Sequence, residues 1–215
     1  MNKFISLNSV ILFLLPCIVL FICLNNHSEF KNEIFFPFFD GKVSVSLIGR
    51  QDYNIIFFKI SFLIYSFLSF FFYYNFSNFL KRRKYQNNFF LVGILMNIAL
   101  ICYIYFLGNN VFYYSDVIRR LSIILYLLTV LVAHFLTFLF LKRNFNKFKK
   151  SIVMNISFNV CLLILISMFI FIIVGSPWVN PLFEYPYNLK NIIEWNYFFL
   201  SLLFYIPLSI IIFKY

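Results

Sequence analysis

Six apolar runs set the limits on what this chain can become. Each is close to the roughly 20 residues that a helix needs to cross the hydrocarbon core of a bilayer. They lie at about 4–24, 55–76, 89–107, 121–141, 152–174 and 192–213. The runs are continuous and lack period-two alternation, so helices are expected rather than strands. With 63% of 215 residues hydrophobic, a soluble domain would have too little polar surface to cover its core. The expected fold class is all-α: a polytopic membrane protein built as a six-transmembrane-helix bundle. No internal repeat or low-complexity linker divides the sequence, so residues 1–215 read as one domain. The first run reads as a retained span rather than a signal peptide, because it is long and lacks a small-x-small cleavage site.

Charge sorts the connections between the runs. With the N-terminus in the cytosol, one face collects Lys3, the KRRK run at 81–84, the basic cluster at 142–150 and Lys214, with no acid among them. The other face takes all seven acids, from Glu29 to Glu194, balanced by seven cations. The formal charge of +11 therefore falls entirely on one side. An excess of Lys and Arg on the cytosolic side is the usual determinant of orientation, so both termini are expected to be cytosolic. The same placement accounts for the basic charge without nucleic acid: the runs flank apolar spans instead of interleaving with solvent-facing aromatics. They set topology and touch anionic head groups. Cys17, Cys23, Cys102 and Cys161 all lie inside apolar runs, with no CxxC, which argues against a disulfide framework or a zinc site. The high Phe, Ile, Tyr and Asn content looks like that of an AT-rich genome, so aromatic abundance carries no functional weight here. On the outer side, Asn26-His27-Ser28 forms a glycosylation sequon close to the first span.

The sequence contains no GxSxG, HExxH, P-loop, GxGxxG or His-four-Asp pattern, so no enzyme class follows from motifs and no cofactor or metal is implied. Two polar layers are expected within the bundle. Near the outer face, Glu194 opens the last span and Lys59 the second, with Asp52, Asp116, Arg119, Arg120, Glu184 and Lys190 around them. Charges inside a membrane are costly unless paired or functional. This layer reads either as a vestibule for a phosphate-bearing lipid or glycan head group, or as a Lys59–Glu194 pair that fixes helix packing. In the cytosolic half, Asn97, His134 and Asn159 each sit some seven or eight residues from a span end, sharing a plane about 10–12 Å deep. That set reads as interhelical hydrogen bonding or as a proton shuttle centred on His134. A depth difference of ~16 Å separates His134 from Glu194, too far for a direct acid–base pair. Pro207 is expected to kink the last span or free a backbone carbonyl one turn earlier. Trp178, Trp195 and Tyr197 stand where interfacial anchors are expected.

The order of features from residue 42 onward resembles a known family. It runs through KVSVSLIGRQDYNIIFFKISFLIYSFL (42–68), NNFFLVGILMNIALICYIYFLGNNVFYYSDVI (87–118) and LTVLVAHFLTFLFLKRN (128–144) to NIIEWNYFFLSLLFY (191–205). This resembles the six-span family of DRAM-type proteins, the yeast Sfk protein and the animal post-GPI-attachment remodelling factor two. The remodelling factor is the nearest likeness, through Asn97-Ile98-Ala99-Leu100, Ala133-His134 with Thr137, and Glu194-Trp195. The last span departs from the animal pattern, with Tyr205-Ile206-Pro207 where that pattern carries a histidine.

The resemblance implies lipid remodelling of GPI-anchored proteins in the Golgi or endoplasmic reticulum membrane. The activity would be fatty-acid reacylation of lyso-GPI, or exchange of its lipid. The implied partners are GPI lipid, membrane lipids and a separate acyltransferase, and His134 and Glu194 are the residues it points to as catalytic. Lys59, Asp52, Arg119, Arg120, Asn97 and Asn159 are the expected substrate contacts. The alternative is a non-enzymatic DRAM-like membrane protein, or a subunit that stabilises an acyltransferase.

Overall fold

Long apolar runs become long helices. The computed structural model describes residues 2–26, 36–51, 54–82, 89–108, 114–144, 151–175 and 188–214. Five long helices account for the first five spans: α1 (Asn2–Asn25), α4 (Ile55–Arg82), α5 (Phe89–Phe106), α6 (Ser115–Asn144) and α7 (Ile152–Val174). The sixth span is made in two pieces, α8 (Asn188–Leu203) and α9 (Tyr205–Lys214). Two one-turn helices, α2 (Pro37–Asp40) and α3 (Val45–Ile48), lie in the first outer connection. The described residues are helical without strands, and six of the helical segments are long and apolar enough to cross a membrane. The chain is a six-span helical membrane protein.

The helices overrun the apolar runs where charge favours it. α4 continues to Lys81 and Arg82, and α6 to Lys142 and Arg143, so cations occupy the last turns. There they complement the negative end of the helix dipole. At its other end α6 starts at Ser115, a turn and a half before the apolar run, placing Asp116 in the first turn and Arg119 and Arg120 on the helix. α8 likewise starts at Asn188, so Glu194 lies nearly two turns inside the helix rather than two residues from its edge.

Neighbours in sequence are neighbours in space. α4 packs on α5, α5 on α6, α6 on α7, and α7 on both pieces of the sixth span; α1 closes the ring against α4 and α9. The sixth span is the most enclosed, with 61% of its most apolar window buried, against 28% for α7. Between helices in lipid, apolar burial gives no driving force, so close packing and interhelical hydrogen bonds must hold the bundle. Both are visible between α4 and α5. Ser66 Oγ donates to Asn97 Oδ1 at 2.8 Å, and Asn97 Nδ2 returns to its own helix at the Gly93 carbonyl, 2.7 Å away. A Cβ on Gly93 would lie 2.5 Å from the Cβ of Tyr73.

The last span is broken near Pro207, whose missing N–H removes one helical bond, whereas α1 runs on through Pro16. The helix is interrupted at Phe204, although Phe204 N–H still reaches the Leu200 carbonyl and Leu208 N–H the Phe204 carbonyl. The freed polar backbone lies among buried Leu202, Phe204 and Tyr205, and needs partners from other helices.

Gly93→Val would force α4 and α5 apart at Tyr73. Overpacking of this kind costs about 1–3 kcal/mol. The expected outcome is a lower melting temperature of the detergent-solubilised protein in a size-exclusion thermostability assay, with Gly93→Ala intermediate.

Candidate functional site

The opening of the sixth span holds the first outer connection by a row of polar side chains. Asn191 Nδ2 donates to the Gly41 carbonyl at 2.7 Å, Trp195 Nε1 to the Val43 carbonyl at 2.8 Å, and Asn196 Nδ2 to the Phe38 carbonyl at 3.0 Å. Glu194 accepts from the N–H of Ser46 at 3.3 Å and from Val45. Ser44 caps the same short helix by accepting from Leu47 N–H at 3.1 Å. Together the Glu194 carboxylate and the Ser44 hydroxyl satisfy the N–H groups that open α3, which have no partner within so short a helix. The chain reaches this position through Gly41, whose φ of 57° is left-handed. The polar row explains why 191–196 reads NIIEWN: Asn191, Glu194 and Trp195 recur at three and four residues, on one face.

Beneath this clasp a small, partly open cleft of about 20 Å³ lies between α4, α5, α6 and α8. Its walls are apolar, formed by Val45, Phe58, Phe62, Leu100, Leu127 and Phe198, with Ile123. Three polar groups face it: Glu194, Tyr103 and Tyr126. Arg50 and Lys190 are the cations near enough to act on Glu194, and Arg50 and Arg119 act on Tyr103. Arg50 is held by its own Nε donating to the Ser46 carbonyl at 3.2 Å. Arg119 is 8% exposed and pairs with the exposed Asp116 at 3.1 Å. An ion pair with one exposed partner contributes little stability, so Arg119 can exchange Asp116 for a ligand anion at small cost. The cleft is an apolar recess with one carboxylate in its wall and two guanidinium groups near its polar lining residues, a combination suited to an apolar group next to a charged one.

From the cleft a line of hydroxyl groups runs into the bundle. Tyr126 donates to Tyr65 at 3.3 Å and Tyr205 meets Tyr73 at 3.3 Å, with the Tyr65 and Tyr205 hydroxyls close enough to act on each other. All four rings are 2% exposed or less. His134 sits against the far end of this line. Its ring stacks on Phe204 at 4.1 Å and meets Tyr205 edge-on at 5.3 Å. His134 Nε2 lies 2.8 Å from the carbonyl of Ser201, one turn before the break in the sixth span. A carbonyl can only accept, so Nε2 carries the hydrogen and the imidazole serves as the donor the broken helix requires.

The expected site residues therefore divide. Glu194 lines the cleft and Arg119 is near enough to act on Tyr103 in its wall, whereas Arg120 is exposed on α6. Lys59 is half-buried on α4 beside Phe58; the cations acting on Glu194 are Lys190 and Arg50 instead. Asp52, Glu184 and Trp178 lie outside the described residues. The cytosolic layer does not assemble: Asn97 bonds Ser66, His134 bonds Ser201, and Asn159 is exposed on the outside of α7. Nor are Trp195 and Tyr197 interfacial anchors. Both are buried, and Tyr197 donates to the Leu127 carbonyl at 2.9 Å. Sequence reasoning missed Arg50, Tyr103 and the tyrosine line. The last had a signal: Tyr65 and Tyr73, Tyr126 and His134, and Tyr197 and Tyr205 are each eight residues apart, which is one helical face. Among the described residues no three His, Cys, Asp or Glu side chains converge as metal ligands. Comparison with models of known protein families, with curated proteins and with solved structures finds no match.

Trp195→Phe keeps the ring and removes the donor to Val43. Loss of such a bond costs about 1 kcal/mol, or roughly fivefold in the population of the released connection. Limited proteolysis within 36–48 should accelerate by that factor while cleavage elsewhere is unchanged.

Proposed function

We propose that this protein binds a lipid from the outer leaflet in the α4–α5–α6–α8 cleft and acts in lipid remodelling of GPI-anchored proteins, in the Golgi or endoplasmic reticulum. The observation that carries the lipid reading is the apolar cleft with Glu194 in its wall and Arg50 and Arg119 beside it. The narrower reading rests on the sequence resemblance. It agrees with the cleft's place under the outer connection, the side on which a GPI anchor lies. In this reading the guanidinium groups engage the head-group phosphate, Glu194 orients a hydroxyl, and the aromatic walls take the chain. His134 acts as a positioning residue by holding the broken sixth span.

A second reading has its own support. The Glu194 carboxylate is already engaged by Ser46 and Val45, and His134 does not line the cleft. A site without a free acid–base pair suits a subunit that presents lipid to a separate acyltransferase.

Glu194→Gln separates charge from architecture, since the amide oxygen still accepts from Ser46. Hydrogen bonds to a charged group contribute about 1.5–3 kcal/mol, so remodelling should fall about tenfold or more at normal protein level. The readout is GPI-anchor lipid composition by mass spectrometry in depleted cells complemented with each form. Accumulated lyso-GPI, or loss of saturated or ceramide-type anchors, supports the proposal; unchanged anchors on depletion would sink it.

A further inference from the structure

Asn159 is misplaced for a monomer. It lies seven residues into α7, about 10 Å along the helix axis, where a short amide cannot reach either surface. It is exposed on the outside of the bundle, and its side chain bonds no described residue. Outward polar groups at comparable places on two other helices are satisfied locally. Asn75 Nδ2 returns to the Phe71 carbonyl and Thr129 Oγ1 to the Leu125 carbonyl, both at 2.8 Å. An amide left to hydrocarbon costs several kcal/mol, and partner helices normally take it up.

Its surroundings form a seam. Ile152, Ile156, Asn159, Leu163, Ile166 and Ile170 recur at alternating intervals of four and three residues. The five apolar members are between 47% and 78% exposed. This is the spacing of the contact positions of a left-handed helix pair, with β-branched residues dominant and one asparagine, the device that fixes register and partner number. The same helix is the least covered of the six spans.

We infer that the outer face of α7 is a dimerisation seam whose occupant is α7 of a second copy of this chain. Copies inserted with one topology run their fifth spans parallel, which brings Asn159 opposite its counterpart at the same depth. An amide has a donor and an acceptor, so two such groups related by a two-fold axis satisfy each other reciprocally. A different helix would need its own polar group at that depth. The cleft lies between other helices, so the seam stands independently of the lipid-binding reading.

The test is energy transfer between two fluorescently tagged full-length copies in membranes, over a range of expression densities. Wild type should associate, Asn159→Leu should associate about three- to tenfold more weakly, and Asn159→Gln should retain association. Leu163→Cys should crosslink to itself with a short bismaleimide above the wild-type background. Asn159→Leu removes an amide from the lipid-facing surface, so folding is not at risk. A wild-type chain that stays monomeric at every density overturns the inference. So does association equally tight in Asn159→Leu, or a different protein crosslinked at position 163.

Discussion

Within hydrocarbon, every backbone N–H and C=O must find a partner in the protein, and the sixth span is where this chain meets that demand least simply. Pro207 removes one N–H, and the helix is interrupted at Phe204. In water the last carbonyls of α8 would be solvated. Here the Ser201 carbonyl takes the Nε2 hydrogen of His134, and Phe204 covers the imidazole. The break, the histidine and the enclosure of the span by α1, α6 and α7 then form one arrangement. An interrupted helix can run through the enclosed part of the bundle because a donor was brought to it from α6.

The same span is tied at its outer end by side chains rather than by packing. Asn191, Glu194, Trp195 and Asn196 each engage the main chain of the 38–46 segment. That segment cannot satisfy itself, since α2 and α3 are single turns. Glu194 is therefore stabilised by N–H groups more than by an opposing side-chain charge. Oriented amides hold a carboxylate as a cation would, but without occupying the cleft.

What the sequence disclosed followed physical scale. Spans and their number were legible because twenty apolar residues are a whole-segment property. Helix ends were less so: α6 and α8 begin in polar sequence that hydropathy alone assigns to loops. The cleft was half legible. Glu194 and Arg119 stood out as charges near a membrane edge, but Arg50 depends on the fold of a short connection. Trp195 illustrates the limit, because depth along a helix does not say which way an indole points. The tyrosine line was obscured by treating aromatic abundance as composition. Phe content is indeed spread over inner and outer faces, whereas the eight-residue spacings on α4, α6 and α8–α9 put five tyrosines and His134 on inner faces.

Depth and direction are separate quantities, and polar residues inside a membrane make the difference consequential. Asn97 and Asn159 lie at similar depths on neighbouring parts of the sequence pattern, yet one bonds Ser66 in the core and the other faces out. For the inward amide, the helix neighbours already supply both partners, and its contribution is to the monomer. An outward amide has only lipid or another protein to meet. Sequence supplies the depth of each; only the rotation of α7 about its axis, set by Met154, Cys161 and Met168 turning inward, decides which of the two Asn159 becomes.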